Sequence, residues 1–192
     1  MTTTTTQTTT PASLASSLWT FDGNTLDSWS TRHGFASQPP SYTTDVFTGT
    51  GTALIFSRAF QQYVQVEGYQ NLSYQSFTVE MWFYCKHLTN DTYGLFGQND
   101  ARERLRSLHI QIRDYFPYFG FYNDDLIGEN YLRENIWYQI AFVYDLTNRV
   151  QIIYLNGQQI GRRSCQPYQG RSGPITIGKT EEYYNLPTYF NG

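Results

Sequence analysis

Three histidines, His33, His87 and His109, are the side chains best able to exchange protons near neutral pH, and they are isolated from one another in sequence. The spacings that turn such residues into metal sites or nucleophile partners, H-E-x-x-H, C-x-x-C and a G-x-S-x-G elbow, are absent. His109 falls on the polar side of an alternating segment. It can meet a ligand there or simply sit in solvent, and it is the first candidate ligand-binding residue. Carboxylate chemistry fares no better. Glycoside cleavage by a retaining pair requires two carboxyl groups about 5 Å apart. Segment 76–85 carries only Glu80, segment 136–144 has no acid inside it, and no segment offers an E-x-D-x-x-E run. The pattern predicts a protein that is not an enzyme.

Loop oxygens are a different matter, because calcium takes clustered carboxylate and carbonyl ligands on irregular backbone. Four clusters qualify: Asp22 with Asn24 and Asp27, Asn99-Asp100, Asp124-Asp125, and Glu181-Glu182. The alternative is ordinary exposed carboxylates. Aromatic rings are the other resource, with 17 Tyr and 13 Phe. They gather at Tyr115, Phe116 and Tyr118, at Tyr168, and at Tyr183, Tyr184 and Tyr189. Exposed tyrosines suit sugar stacking and protein contacts, which makes Tyr168, Tyr183 and Tyr184 further ligand-binding candidates. Core and rim packing would use the same rings.

The chain as a whole bounds its partners. The net charge of −3 and the lack of a Lys/Arg cluster argue against a nucleic-acid groove. Arg162-Arg163 and Arg102, Arg104 and Arg106 read as solvated charges. No apolar stretch approaches the roughly 20 residues of a membrane helix, so direct membrane insertion is not expected. Residues 1–15 are Thr-rich, lack the apolar run of a signal peptide, and have too little to bury to fold. This segment resembles an O-glycosylated stalk or linker. Two glycosylation sequons, Asn71-Leu72-Ser73 and Asn90-Asp91-Thr92, agree with a secretory route. An extracellular or cell-surface location, as part of a longer protein, is the expectation. Cys85 and Cys165 form either one disulfide or two separate buried thiols.

The elements that must position these residues are short strands. From Ser76 to Cys85, Phe77, Val79, Met81, Phe83 and Cys85 point one way and Thr78, Glu80, Trp82 and Tyr84 the other. Large groups on both faces predict a central strand covered on both sides. In Ser107–Asp114, Leu108, Ile110 and Ile112 face the core, while His109, Gln111 and Arg113 face water or a shallow concave surface. Further strands are expected at Tyr118–Asn123, Ile136–Tyr144, Val150–Leu155, Gln158–Gly161 and Pro174–Gly178, and earlier at Leu18–Phe21, Ala53–Phe56 and Tyr63–Val66. Asp145–Asn148 reads as a hairpin loop, and Asn156-Gly157 as a tight turn in which both residues take positive φ. Many short strands without intervening helices predict an all-β, two-sheet antiparallel sandwich.

Ordered motifs carry a family resemblance. Phe77-Thr78-Val79-Glu80-Met81-Trp82 resembles the FTxExW strand of laminin-G-like, concanavalin-A-like jelly-roll domains. Trp137-Tyr138-Gln139-Ile140-Ala141-Phe142-Val143-Tyr144-Asp145 resembles their WxHxAxVxD strand, Tyr154-Leu155-Asn156-Gly157 their NG hairpin, and Ile175-Thr176-Ile177-Gly178 their IG strand. Leu18–Gly23, Ala53–Phe56 and Tyr63–Val66 look like the opening strands, so the resemblance runs from about residue 17 to the end.

The resemblance implies a jelly-roll sandwich over residues 16–192. It also implies one more strand after Tyr189-Phe190-Asn191-Gly192, so the domain reads as truncated before its last strand. Pentraxin-like relatives place acidic calcium ligands after the IG strand, which would make Glu181 and Glu182 metal candidates together with Asp22. Their second acidic set, an Asp-Asn pair, is replaced here by Arg106-Ser107. The scaffold's usual work outside the cell is non-catalytic recognition or adhesion, with a glycan or an extracellular protein as partner. A glycoside-processing enzyme and a structural spacer are the alternatives.

Overall fold

The computed structural model describes residues 16–44, 51–99, 106–121, 123–170, 172–181 and 187–192. Among them are fifteen strands and no α-helix. The first eight are β1 (Gly34–Ala36), β2 (Ser41–Thr44), β3 (Thr52–Ile55), β4 (Val64–Val66), β5 (Phe77–Tyr84), β6 (Thr92–Gln98), β7 (Leu108–Arg113) and β8 (Phe116–Phe121). The others are β9 (Asp124–Ile127), β10 (Trp137–Asp145), β11 (Val150–Leu155), β12 (Gln158–Ser164), β13 (Ile175–Ile177), β14 (Lys179–Glu181) and β15 (Pro187–Tyr189). Seven form one sheet in the order β1-β4-β13-β6-β7-β8-β9, and four form a second in the order β12-β11-β10-β5. The pairs β2-β3 and β14-β15 are separate two-stranded ribbons, and every strand pairing is antiparallel.

Period-two alternation builds the interior. On β10, Tyr138, Ile140, Phe142 and Tyr144 are buried and the residues between them half-exposed. On β7, Leu108, Ile110 and Ile112 are fully buried. Rings from the two sheets meet edge to face. Phe119 and Phe121 of the larger sheet approach Phe142 at 5.6 Å and Tyr144 at 5.2 Å, and Phe77 lies 6.2 Å from Phe119. That geometry sets a positive ring edge against a negative ring face, and each such pair adds about 0.5–1.5 kcal/mol beyond area burial. Gln151 crosses the same gap and donates from Nε2 to the carbonyls of Phe119, at 3.1 Å, and Asp124.

Turn chemistry closes the hairpins. Asn156 and Gly157 have φ of 49° and 77°, the two left-handed residues that join β11 to β12. Asp145 accepts from Asn148 N at 3.0 Å and orders the β10–β11 turn. At the C-terminal end, Gly192 exchanges backbone hydrogen bonds with Phe56, and Lys86 N donates to Asn191 O.

Three expectations are corrected. Strand β5 is not central: it is the edge of the four-stranded sheet, and its outward Trp82 is 50% exposed. Its large outward groups reflect an aromatic surface, not a second covering layer. Leu18–Phe21 forms only an isolated bridge, Trp19 to Asp27. Asp27 supplies the local order instead, because its carboxylate accepts from the amides of Leu18, Trp29 and Ser30.

Cys85 and Cys165 are two separate buried thiols and not a disulfide. Cys85 follows β5 and Cys165 follows β12, on opposite edges of the four-stranded sheet. Three strand steps amount to about 14 Å, well beyond the roughly 7 Å at which Cα atoms can still be bridged. Register places them at opposite ends as well, since Tyr84 pairs with Trp137 and Ser164 with Val150, which itself pairs with Asp145.

Candidate functional site

Strand register draws one line of residues across the outer face of the seven-stranded sheet: Phe35, Gln65, Thr176, Gly97, His109, Gly120 and Asp125. Their strand neighbours point inward; of the row itself Phe35, Gln65 and Asp125 are exposed, His109 and Thr176 half-buried, and Gly97 and Gly120 buried. The β14–β15 ribbon lies on that face and covers the row at Gly97, and two glycines permit it. A Cβ at Gly94 would come within 2.4 Å of Thr180 N and 2.6 Å of Thr188 O, and one at Gly97 within 3.1 Å of Lys179 O. Gln111 clamps the ribbon by donating from Nε2 to Thr180 Oγ1 at 2.6 Å, and the Thr180 and Thr188 hydroxyls bond at 2.7 Å.

Ribbon and sheet together enclose a cleft of about 140 Å³. It is lined by Gln65, Gly97, Thr176 and His109 of the sheet, by Lys179 and Glu181 of the ribbon with Asn99 bonded to Glu181, and by Leu108 and Gly173-Pro174. The walls are held in place by their own hydrogen bonds. Lys179 Nζ donates to Glu181 Oε1 at 2.7 Å and lies 4.7 Å from the Tyr63 ring centre. Asn99 Nδ2 donates to Glu181 Oε2 at 2.5 Å, and Ser107 Oγ donates to Asn99 Oδ1 at 3.0 Å. Thr176 Oγ1 donates to Lys179 O at 2.8 Å. Side chains fixed in this way would pay less ordering cost on meeting a ligand than free ones.

Of the sequence candidates, His109 and Glu181 are brought together here. Glu182, Tyr183 and Tyr184 lie outside the described residues. Tyr168 is a correction: it is fully buried, packed edge to face on Phe77 and Phe121, with its hydroxyl 3.2 Å from Gln98 Oε1. It plugs the core and presents no ring to a ligand.

Of the calcium candidates, those among the described residues do not assemble. Among the described residues no three of His, Cys, Asp and Glu cluster at a metal. Glu181 faces an ammonium, while Asp22 accepts from Thr52 N at 3.0 Å. Asp124 pairs with Arg163 at 3.2 Å and accepts from Gln166 N at 2.7 Å. Burial pushes the Asp27 carboxyl up, but the Ser30 hydroxyl and the surrounding amides outweigh it and hold the group well below the usual carboxylate range. Both sequon asparagines, Asn71 and Asn90, are exposed, and Asn71 Oδ1 accepts from Ser73 Oγ at 2.6 Å.

Gln65, Thr176 and Lys179 were not evident from the sequence, because single polar residues on separate strands form no motif; Asn99 was singled out only as a loop oxygen donor. The signal available was Gly94 and Gly97 inside one apolar run, since glycine in a strand marks close backbone approach.

A family model for the concanavalin A-like lectin/glucanases superfamily (Laminin_G_3) matches residues 57–192. The chain belongs to this superfamily. Solved structures agree on the fold. Domain 4 of AbnA, an extracellular GH43 arabinanase from Geobacillus stearothermophilus in complex with arabinotriose, is similar at TM-score 0.68 and 16% identity, over 90% of this chain and 85% of that one. A putative carbohydrate binding protein from Bacteroides ovatus follows at TM-score 0.57 and 16% identity, over 78% of this chain and 47% of that one. The CBM40 of the Ruminococcus gnavus IT-sialidase reaches TM-score 0.50 at 17% identity, over 62% of this chain and 72% of that one. At such identities these structures show a shared scaffold, and function has to be argued from the cleft. No curated protein matches the sequence.

Proposed function

We propose that this chain is a non-catalytic carbohydrate-binding module that works outside the cell as part of a longer protein. The observation that carries the reading is the cleft between the β14–β15 ribbon and the Gln65–Thr176–Gly97–His109 row. Amide, hydroxyl, imidazole and ammonium groups stand in it beside the apolar surface of Leu108 and Pro174, a few polar groups on a largely apolar lining, as ligand sites commonly have. Exposed Asn71 and Asn90 sequons suit a secretory route. Superfamily relatives point the same way, one of them captured with arabinotriose.

The arrangement of acids supports binding without turnover. Glu181 is tied to Lys179 and Asn99, and Asp125 stands two strands beyond His109. Both oxygens of Glu181 are engaged, by the Lys179 ammonium and the Asn99 amide, which leaves it tied in a polar network and not free as one of a glycosidase pair.

Calorimetry against a panel of oligosaccharides, with the same panel assayed for hydrolysis, tests the proposal. Binding without product is expected, weakened on the order of tenfold or more in Gln65→Ala and His109→Ala at unchanged melting temperature. Turnover of a bound glycan would refute the non-catalytic part. Binding that ignores both substitutions would move the site elsewhere.

A further inference from the structure

We infer that the border between β5 and the β2–β3 ribbon is a slot for one more strand, filled by the segment that follows Gly192 in the longer protein. The occupant rests on the reading that the chain is part of a longer protein, and not on glycan binding. Among the described strands, β5 pairs with β10 alone and β3 with β2 alone. The last residues of the chain already enter between them. Gly192 exchanges both backbone hydrogen bonds with Phe56, at 2.8 and 3.1 Å, and Lys86 N donates to Asn191 O at 3.1 Å. A Cβ on Gly192 would lie 1.9 Å from Tyr84 O. From Asn191 to Gly192 the chain is therefore moving back along β5, from the Lys86 end toward Phe77.

Burial marks the same slot. On β10 the inward Tyr138, Ile140, Phe142 and Tyr144 are all buried. On β5 the inward Phe83, which meets Phe190 at 6.2 Å, is buried, but Phe77, Val79 and Met81 are only half-buried. Across the slot, Leu54 of β3 packs on the core and is half-buried as well. The core is open along the line on which the chain is heading. A strand edge and apolar side chains left open together are what an added strand covers. Register fixes the pattern this strand needs. Gly192 and Phe56 form a hydrogen-bonded antiparallel pair, and opposite residues of such a pair share a face. The second residue after Gly192 therefore lies opposite Leu54 and faces the core, as does every second residue beyond it.

Two chains extended beyond Gly192 test the slot. One carries four Thr-Val repeats, which put valine inward; the other carries four Val-Thr repeats, the same composition in the opposite phase. The Thr-Val chain is expected to melt about 4 °C or more above the unextended chain. Its amides over β5 should exchange with solvent on the order of tenfold more slowly. The Val-Thr chain should show neither gain. If the unextended chain does not fold, the same contrast is read as recovery of near-ultraviolet circular dichroism in one phase only. Equal effects of the two extensions, or none from either, would overturn the slot. A dimer of the unextended chain in sedimentation, with β5 protected in it, would give the slot to a second copy and overturn the assignment. An intact mass showing that the native protein ends at Gly192 would overturn the occupant together with the reading that the chain continues, and leave the slot result standing.

Discussion

Gln111 reaches up from β7 and donates from Nε2 to Thr180 Oγ1 at 2.6 Å, both side chains fully out of solvent. This contact sits on the outside of the sandwich and ties the ribbon to the strand beside β6. Thr180→Val removes the acceptor and leaves a buried amide short of a partner, at a cost of about 1–3 kcal/mol. Gly94→Val acts on the same joint by steric force, because its Cβ would strike Thr180 N and Thr188 O. Both variants should lose glycan binding while near-ultraviolet circular dichroism still reports a packed core. Loss of the core signal in Thr180→Val would show that the ribbon is integral to the sandwich.

Adjacent residues on β5 should behave oppositely. Phe83 is buried against Tyr138 and Phe190, at ring distances of 5.6 and 6.2 Å, whereas Trp82 points outward and is half exposed. Phe83→Ala is expected to cost about 3–5 kcal/mol, and Trp82→Ala about 1 kcal/mol or less. Urea denaturation of the two variants measures both, and similar losses would place β5 inside the fold and not at its border.

The thiols should be silent. Burial, reinforced by the Glu134 charge, pushes Cys85 up to about 12, and burial with the Asp124 charge pushes Cys165 up to about 11. Thiolate is the reactive form, so neither cysteine should react with Ellman's reagent in the native protein at mildly alkaline pH. Two equivalents should appear on denaturation without any reductant. A zero count after denaturation would reveal a bridge.

Acid should act through Asp27. Its folded-state pKa is depressed, so its contribution is fully present above the unfolded value of about 3.9 and is lost as pH falls through the lower folded value. Asp27→Ala should therefore destabilise by about 1–3 kcal/mol at neutral pH, and the wild-type and variant stabilities should converge below about pH 4. A gap that stays constant down to strong acid would mean the carboxylate's charge plays no part.

Where alternation alone sets a strand, the sequence was readable. Phe77–Tyr84, Leu108–Arg113, Trp137–Asp145 and Val150–Leu155 appear within a residue or two of the expected limits. What alternation cannot report is neighbourhood. It showed two apolar sides on β5 but not that one of them lacks a cover. The two glycines of Thr92–Gln98 broke the pattern and hid β6, although those glycines let the ribbon seat. Tyr168 looked like an exposed ring because it lies in a segment without strand periodicity, yet its hydroxyl has a buried partner in Gln98. His109 could be assigned to the outward side from its own strand. Its companions Gln65, Thr176 and Lys179 come from strands that only the three-dimensional pairing brings alongside.

Gln65, Gly97, His109 and Thr176 are drawn from four strands spread over much of the chain's length. No peptide excised from this protein can carry the recognition surface, and no local hairpin can form it early. It comes into existence only when the most distant pairings close, which are the slowest contacts to make. On the proposed reading, sugar binding is thereby a report on completed folding: a molecule that has misplaced any one of those strands would be blind to its ligand.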